Sequence, residues 1–359
     1  MRVLHNRVNR NVLKERLMQE SFKRITVSFY RYVILNNPQE FRDKLYLDFE
    51  DLGVFGRVYV AYEGINAQIS VPEHNWDAFK KYLDHTKELE NIPLKIAVED
   101  NGKSFYKLDV KVRKKIVADG LDDNTFDVTN VGRHLSAAEF NEALENPDTV
   151  VIDMRNHYES EVGRFDNAIC PDADTFKEEL PIVMDILKGK EDKKVLLYCT
   201  GGVRCEKASA YLKHHGFKDV NQLHGGIIEY ARQVKHFGLP SKFKGKNFVF
   251  DQRLGERITD DILSTCHQCG KACDNHTNCA NDDCHLLFIQ CDECKAKYKG
   301  CCTPQCMVII ELPIEEQIKL RKGKTKENAH SVYKSRLRPN LKKLLLENSE
   351  FRFDKNATQ

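Results

Sequence analysis

Cys199-Thr200-Gly201-Gly202-Val203-Arg204-Cys205 is the stretch of this sequence best equipped for chemistry. It follows the apolar run Lys194-Val195-Leu196-Leu197-Tyr198, which reads as a buried strand, and precedes Glu206–Leu212, which reads as a helix. A cysteine at a strand end, then glycines, then a helix N-terminus brings successive backbone N–H groups and the positive end of a helix dipole to one sulfur. Arg204 adds a cation. Such surroundings depress a thiol pKa and make Cys199 a nucleophile, cradled by Thr200, Gly201, Gly202, Val203 and Arg204. Cys205, at the helix start, is a candidate resolving thiol for an oxidised or persulfidated Cys199. Packing as a small apolar residue is its competing role.

Ten of the thirteen cysteines lie between Cys266 and Cys306. Cys266-x2-Cys269 and Cys291-x2-Cys294 have the spacing of a zinc ribbon, with about twenty residues between the pairs. These four are the expected metal ligands. Cys279, Cys284, Cys302 and Cys306 supply material for a second site, with His267, His276 or His285 as substitutes. An iron–sulfur cluster needs the same thiolates, and disulfides formed after isolation are a further alternative.

The elements that must position these groups fall into successive regions, α/β and α+β in class. Residues 1–20 read as a basic lead-in helix. Residues 21–120 read as an α+β module in βαββαβ order, which predicts a ferredoxin-like sandwich. Its strands are Ile25–Tyr30, Arg57–Ala61, Ala67–Val71 and Leu94–Val98. Its helices open at Pro38, with Asn37 as N-cap, and run from Asn75 to Leu89, while Glu63–Asn66 reads as a turn. Tyr106–Arg113 adds a strand studded with lysine and arginine, which faces either RNA or solvent. Residues 130–240 alternate strands with helices, as a mainly parallel sheet requires, and place Cys199 at the carboxyl end of a central strand. Residues 241–310 hold the cysteines, beginning with a short strand near Gly245–Asp251. Residues 311–359 form a basic tail, suited to solvent or to tracking phosphates.

The chain has 359 residues and a formal net charge of +2, so no global field demands an acidic partner. No apolar run approaches the length of a membrane span, and the N-terminus lacks an apolar signal core. A cytoplasmic protein is expected, and in a reducing compartment thirteen cysteines point to metal or catalysis before disulfides.

The Cys-x4-Arg loop resembles that of the rhodanese family, whose cysteine carries a persulfide. Thr149–Asn156 is similar to the rhodanese strand that ends in Asp-x-Arg. Tyr158, Glu159, Gly163, Phe165 and Ala168-Ile169 match the segment that follows, and Val220–Ile227 matches the last strand and its Gly-Gly turn. Asp153 and Arg155 suit an ion pair tying two loops together better than a direct catalytic role.

Over nearly all of residues 1–310 the chain is similar to the bacterial family of rhodanese-domain tRNA uridine hydroxylases. The likeness rests on Glu63-Gly64-Ile65-Asn66, Asp153–Asn156, Cys199–Ser209 and His224-Gly225-Gly226-Ile227. It implies oxygen-dependent formation of 5-hydroxyuridine at the wobble uridine of tRNA. Molecular oxygen is then the co-substrate, the anticodon loop the partner and Cys199 the essential cysteine. No dinucleotide fingerprint, haem-attachment motif or His-Glu-x-x-His accompanies it. Uracil is electrophilic at C6, so a thiolate added there makes C5 an enolate-like carbon able to attack an electrophilic oxygen species, with the base splayed out of its stack. Competing readings are a sulfurtransferase carrying a Cys199 persulfide to a thiol acceptor or tRNA, and a non-enzymatic tRNA- or protein-binding regulator.

Overall fold

In the computed structural model, residues 4–6, 8–121 and 125–322 are described. The basic lead-in forms helix α1 (Arg10–Gln19), capped by the Asn9 side chain and with only Leu17 buried. The N-terminal module then runs β1 (Arg24–Tyr32), α2 (Pro38–Asp51), β2 (Phe55–Ala61), β3 (Gly64–Pro72), α3 (Trp76–Asp84) and β4 (Lys95–Ile96), with β5 (Leu108–Val112) added. Strand order is β4-β1-β3-β2-β5; β5 lies parallel to β2 and the other neighbours are antiparallel. This is the expected ferredoxin-like sheet with one extra edge strand.

Strand alternation explains how the module works. Val27, Phe29, Val58, Val60 and Ile69 point to a core shared with Leu45, Phe49 and Phe79 of the helices. Ser28, Tyr30, Arg57, Tyr59, Asn66 and Gln68 point the other way, onto a cavity. At the edge strand Lys111 pairs with Asp109, whereas Arg113 and Lys115, just beyond its end, line the cavity.

Two local expectations are corrected. Glu63–Asn66 is not one turn, because Gly64 already opens β3. Its φ is +143°, and a Cβ there would stand 2.0 Å from the Arg31 carbonyl oxygen, so the glycine permits a close strand crossing. The second helix ends at Asp84 instead of Leu89, because Leu89 and Ile92 turn back to bury themselves in the core.

The second module comprises β6 (Arg133–Leu135), α4 (Ala137–Glu145), β7 (Val150–Asp153), α5 (His157–Ser160), β8 (Gly163–Phe165), α6 (Phe176–Leu187), β9 (Lys194–Tyr198), α7 (Val203–His214), β10 (Asp219–Leu223) and α8 (Gly226–Phe237). Its sheet, β6-β10-β9-β7, is wholly parallel. Helices α6 and α7 cover one face, α4 and α8 the other. Val195–Tyr198 are fully buried between them, which is why this strand reads as a continuous apolar run.

Strand β11 (Phe243–Asn247) pairs with β8 and with β12 (Glu256–Arg257), fastening the cysteine region to the second module. Hairpin β13 (His276–Asn278)–β14 (Leu287–Ile289) and helices α9 (Asp292–Lys297), α10 (Pro304–Glu311) and α11 (Ile314–Lys322) complete it. The basic tail beyond residue 322 lies outside the described residues. Among those described, no helix is long and apolar enough to cross a membrane.

Candidate active site

Cys199 sits where the sheet delivers it, at the carboxyl end of β9, with Gly202 in a left-handed conformation turning the chain into α7. The Gly202 N–H donates to Cys199 Sγ at 3.1 Å. Burial opposes ionisation, but hydrogen bonding from Cys205, the Arg204 charge and the backbone N–H groups of Cys205 and Arg204 outweigh it and lower the thiol to about 5. Cys199 is therefore a thiolate at neutral pH. Cys205 lies against it, and burial and the neighbouring thiolate push its own thiol well up. The Gly225-Gly226 turn closes the back of the loop: Ile227 N–H donates to the Cys199 carbonyl, and a Cβ on Gly226 would meet that oxygen at 2.5 Å.

Arg204 supplies the cation expected from the sequence, and its charge is paired. Glu159 clamps it in a buried two-pronged ion pair, Nη1–Oε1 2.6 Å and Nη2–Oε2 3.0 Å, and also accepts from Thr200 Oγ1 at 3.3 Å. The clamp fixes the loop and tempers the field that Arg204 projects at the sulfur. Asp153 and Arg155 are fully buried, paired with each other, and the Gly163 carbonyl and Tyr198 hydroxyl complete the knot. They brace β7 to β8 away from the cavity, the structural role favoured from the sequence.

The cavity over Cys199 measures about 590 Å³ and its opposite wall is the polar face of the N-terminal sheet. Arg57, Lys95, Arg113, Lys115 and Arg204 make it basic, and Tyr30, Tyr59, Phe176 and Phe250 supply ring faces. Among the described residues Arg57 and Arg113 make no ion pair, and Arg113 lies over the Tyr59 ring. Sequence reasoning missed this wall. Tyr30 hydroxyl donates to Glu206 Oε1 at 3.0 Å, and Tyr32 hydroxyl to the Val203 carbonyl at 3.3 Å, so β1 docks directly on the start of α7. The Glu63-Gly64-Ile65-Asn66 motif joins the same interface: Lys207, 1% exposed, pairs with Glu63 at 2.7 Å and Asp119 at 3.6 Å. Asn66 donates to the Ile116 carbonyl. A buried lysine in a helix that starts at an active-site loop was the one available signal of a docked partner.

The cysteine region resolves into two foursomes. Cys266, Cys269, Cys291 and Cys294 converge, as do Cys279, Cys284, Cys302 and Cys306, with each set of sulfurs within 4.8 Å of one another. Cys269–Cys291, Cys284–Cys302 and Cys302–Cys306 are 3.7, 3.6 and 3.8 Å apart. Four thiolates about 2.3 Å from one tetrahedral ion stand about 3.8 Å apart. Disulfides require about 2 Å, and a multi-iron cluster would spread its ligands further. The spacing therefore fits one ion per foursome. Cys273 and Cys301 belong to neither set. The histidines offered as substitutes are engaged elsewhere: His267 bonds Glu161 at 2.9 Å, His276 packs on Phe248, and His285 faces Asp282. The ligand pairs alternate along the chain, so each site encloses half of the other. Gln268 and Gln290 bridge the sites through the Cys301 and Cys302 carbonyls.

Three family models match the chain: a UPF0176 acylphosphatase-like domain over residues 24–116, a rhodanese-like domain over 136–233, and a rhodanase C-terminal domain over 244–307. A tRNA uridine(34) hydroxylase of Leptospira interrogans is 59% identical over 343 residues, covering 96% of this chain and 93% of the relative. One from Pectobacterium atrosepticum is 57% identical over 334 residues, covering 93% and 94%. Among solved structures, a rhodanese-like domain protein from Staphylococcus aureus is 22% identical and covers 27% of this chain and 90% of its own, with a TM-score of 0.24. Sequence identity of this extent over nearly the whole length decides the matter: the chain belongs to the tRNA uridine(34) hydroxylase family.

Proposed function

We propose that the cavity receives uridine 34 of a tRNA anticodon loop and that the enzyme hydroxylates its C5 with molecular oxygen, Cys199 being the nucleophile. The observation that carries this reading is a thiolate held at about 5 at the floor of a cavity whose far wall is basic and aromatic. Basic groups suit the anticodon phosphates, and ring faces suit an unstacked base. Residues 21–120 supply that wall, 130–240 the nucleophile, and 241–310 a cysteine module that steadies it. The setting is the cytoplasm, where tRNA is.

Addition of the Cys199 thiolate to C6 moves the C5=C6 electron pair onto C5 and O4. C5 then bonds to oxygen, and loss of the C5 proton with departure of Cys199 restores the ring. Inserting one atom of O2 and releasing the other as water takes two electrons and two protons. Cys199 and Cys205 yield both electrons on forming a disulfide, the Cys205 thiol yields one proton and solvent the other, and an external thiol then resets the pair. In this role Cys205 is the resolving thiol, and its place beside Cys199 supports it. Each cysteine foursome would hold one zinc ion, as its sulfur spacing supports, and a metal held by four protein thiolates would serve structure and not catalysis.

The test is mass spectrometry of nucleosides from tRNA incubated aerobically with wild type and with Cys199→Ser. One added oxygen with wild type alone supports the reading. Full hydroxylation by Cys199→Ser refutes the nucleophile, and a gain of sulfur in place of oxygen refutes the hydroxylation.

A further inference from the structure

Lys95 belongs to the N-terminal module, yet its side chain crosses into the active-site loop of the second. It stands on β4, paired with Ser28 of β1. Its stem runs over two glycines of the other module: Cδ is 3.9 Å from where a Cβ on Gly201 would be, and Cε 3.6 Å from one on Gly225. The stem thus lies within van der Waals reach of both positions. The ammonium lies over the Tyr30 ring, 4.3 Å from its centroid, and Tyr30 is itself anchored on Glu206.

The residue is 7% exposed, and among the described residues its ammonium makes neither a hydrogen bond nor an ion pair. A buried lysine without a carboxylate partner is costly. An aromatic face recovers part of that cost, but leaves the N–H donors to be met from the cavity, which Lys95 lines together with Cys199. The other charged groups facing it are the Cys199 thiolate, Glu206 and Glu229, which favour its charged form, and burial outweighs them to bring it down to about 8. His134 bears on it only through Glu206, which it pairs at 3.0 Å. Arg232 reaches the carbonyl of Ile96 next door.

The ammonium is thus placed to meet an acceptor that gains negative charge beside the thiolate. Thiolate addition at C6 of uracil sends charge through C5 and C4 to O4, not to O2, because only C4=O4 is conjugated with the C5=C6 bond. We propose that Lys95 is a catalytic residue contributed by the N-terminal module: its ammonium hydrogen-bonds uracil O4 and stabilises the charge that moves there when Cys199 adds to C6. The bond formed is Sγ–C6, the pair displaced is that of C5=C6, and no electrons leave the protein–substrate pair in this step. The assignment rests on the reading of Cys199 as the C6 nucleophile. Developing charge met by a preplaced, buried donor is where such a contact contributes most.

Lys95→Met keeps the apolar stem over Gly201, Gly225 and Tyr30 and removes the charge; Lys95→Arg keeps the charge. The full chain is assayed on tRNA, and separately on an anticodon stem-loop carrying 5-fluorouridine at position 34, which traps a C6 adduct. We expect Lys95→Met to lose about 100-fold or more in kcat/KM with KM for tRNA little changed, as for a contact made in the transition state, and to slow adduct formation equally. Wild-type kcat/KM rises with the Cys199 thiolate and falls above about 8 as Lys95 loses its proton. Lys95→Arg recovers most of the activity and lacks the alkaline fall, while His134→Gln retains it. Adduct formation and turnover within about threefold of wild type in Lys95→Met overturn the proposal, as does an alkaline fall that persists in Lys95→Arg. Failure of the underlying reading looks different: wild type itself forms no adduct, or Cys199→Ser remains active.

Discussion

Replacing Glu159 by glutamine should weaken the fold while strengthening the thiolate, a pairing of effects that a simple packing role would not produce. The carboxylate is completely buried and holds Arg204 with both oxygens while accepting from Thr200 and from the Asn156 N–H. Glutamine keeps one acceptor but turns an NH2 group toward the guanidinium, leaving a buried cation unneutralised. Breaking a buried pair from one side costs about 3–5 kcal/mol. At about 2–4 °C per kcal/mol for a cooperative unit of this kind, the melting temperature should fall by about 6–20 °C.

The sulfur responds in the opposite sense. Arg204, relieved of its counter-ion, bears more strongly on Cys199, so the thiol titrates below its wild-type value of about 5 and thiolate reactivity extends to lower pH. Glu179 enters here as well. It is buried with no hydrogen-bond partner on either oxygen among the described residues, and burial raises its pKa well above the carboxylate range against the pull of Arg204. Removing the Glu159 charge allows Glu179 to ionise and take over part of the pairing. Glu159→Gln/Glu179→Gln should therefore be less stable than the sum of the single variants by about 0.5–3 kcal/mol. Calorimetry gives the first quantity; pH-dependent thiolate absorbance and alkylation rates give the second. A thiol pKa that rises in Glu159→Gln, or a melting temperature that does not move, refutes the clamp as described.

Lys207→Met removes the buried cation that Glu63 pairs with at the interface between the first two modules, while Asp119 keeps Lys115, and should cost about 3–5 kcal/mol, read as earlier unfolding of residues 24–116 by hydrogen exchange; uniform protection across both modules counts against it. Alkylation of Cys199 by iodoacetamide should be flat from neutral pH down to about 6 and fall as pH drops through about 5, because the thiolate is lost below its pKa; a half-point near the ordinary thiol value would contradict the geometry. Cys205→Ala should complete one turnover at most without leaving a disulfide, whereas wild type leaves one in peptide maps; unchanged multiple turnover removes the resolving role. Metal analysis should return two zinc ions per chain, and Cys291→Ser or Cys302→Ser should each lower the content of both sites, because Gln268 and Gln290 tie them together.

The loop around Cys199 was legible because its surroundings are local: strand, glycines, arginine and helix lie within a few residues of the cysteine. The parallel sheet was legible from buried runs such as Val195–Tyr198, and the α2 cap from Asn37-Pro38. What the sequence hid was tertiary. Nothing near Arg204 in the chain announces Glu159, some forty-five positions earlier. Lys95 and Tyr30 acquire their meaning only when the N-terminal sheet docks on the second module. Gly64 reads as a turn because glycine is common in turns, and here it serves a crossing of strands. Both cysteine foursomes were legible from their spacing, and folding added that Gln268 and Gln290 tie them together through the Cys301 and Cys302 carbonyls.

Helix α5 is four residues long, far too short to hold its own shape in water, and yet it carries Glu159. It stays in place because of what it leans on. Tyr158 packs with Phe248 and Leu287, Glu161 takes the His267 ring, and Val162 shares a cluster with Cys266, Cys291 and Cys294. All of these supports come from the C-terminal region. The cysteine module thus acts as the foundation under the nucleophile: anything that dismantles it, a chelator or an oxidant, slackens the footing of Glu159, and through Arg204 the slack arrives at the sulfur of Cys199, without touching the cavity.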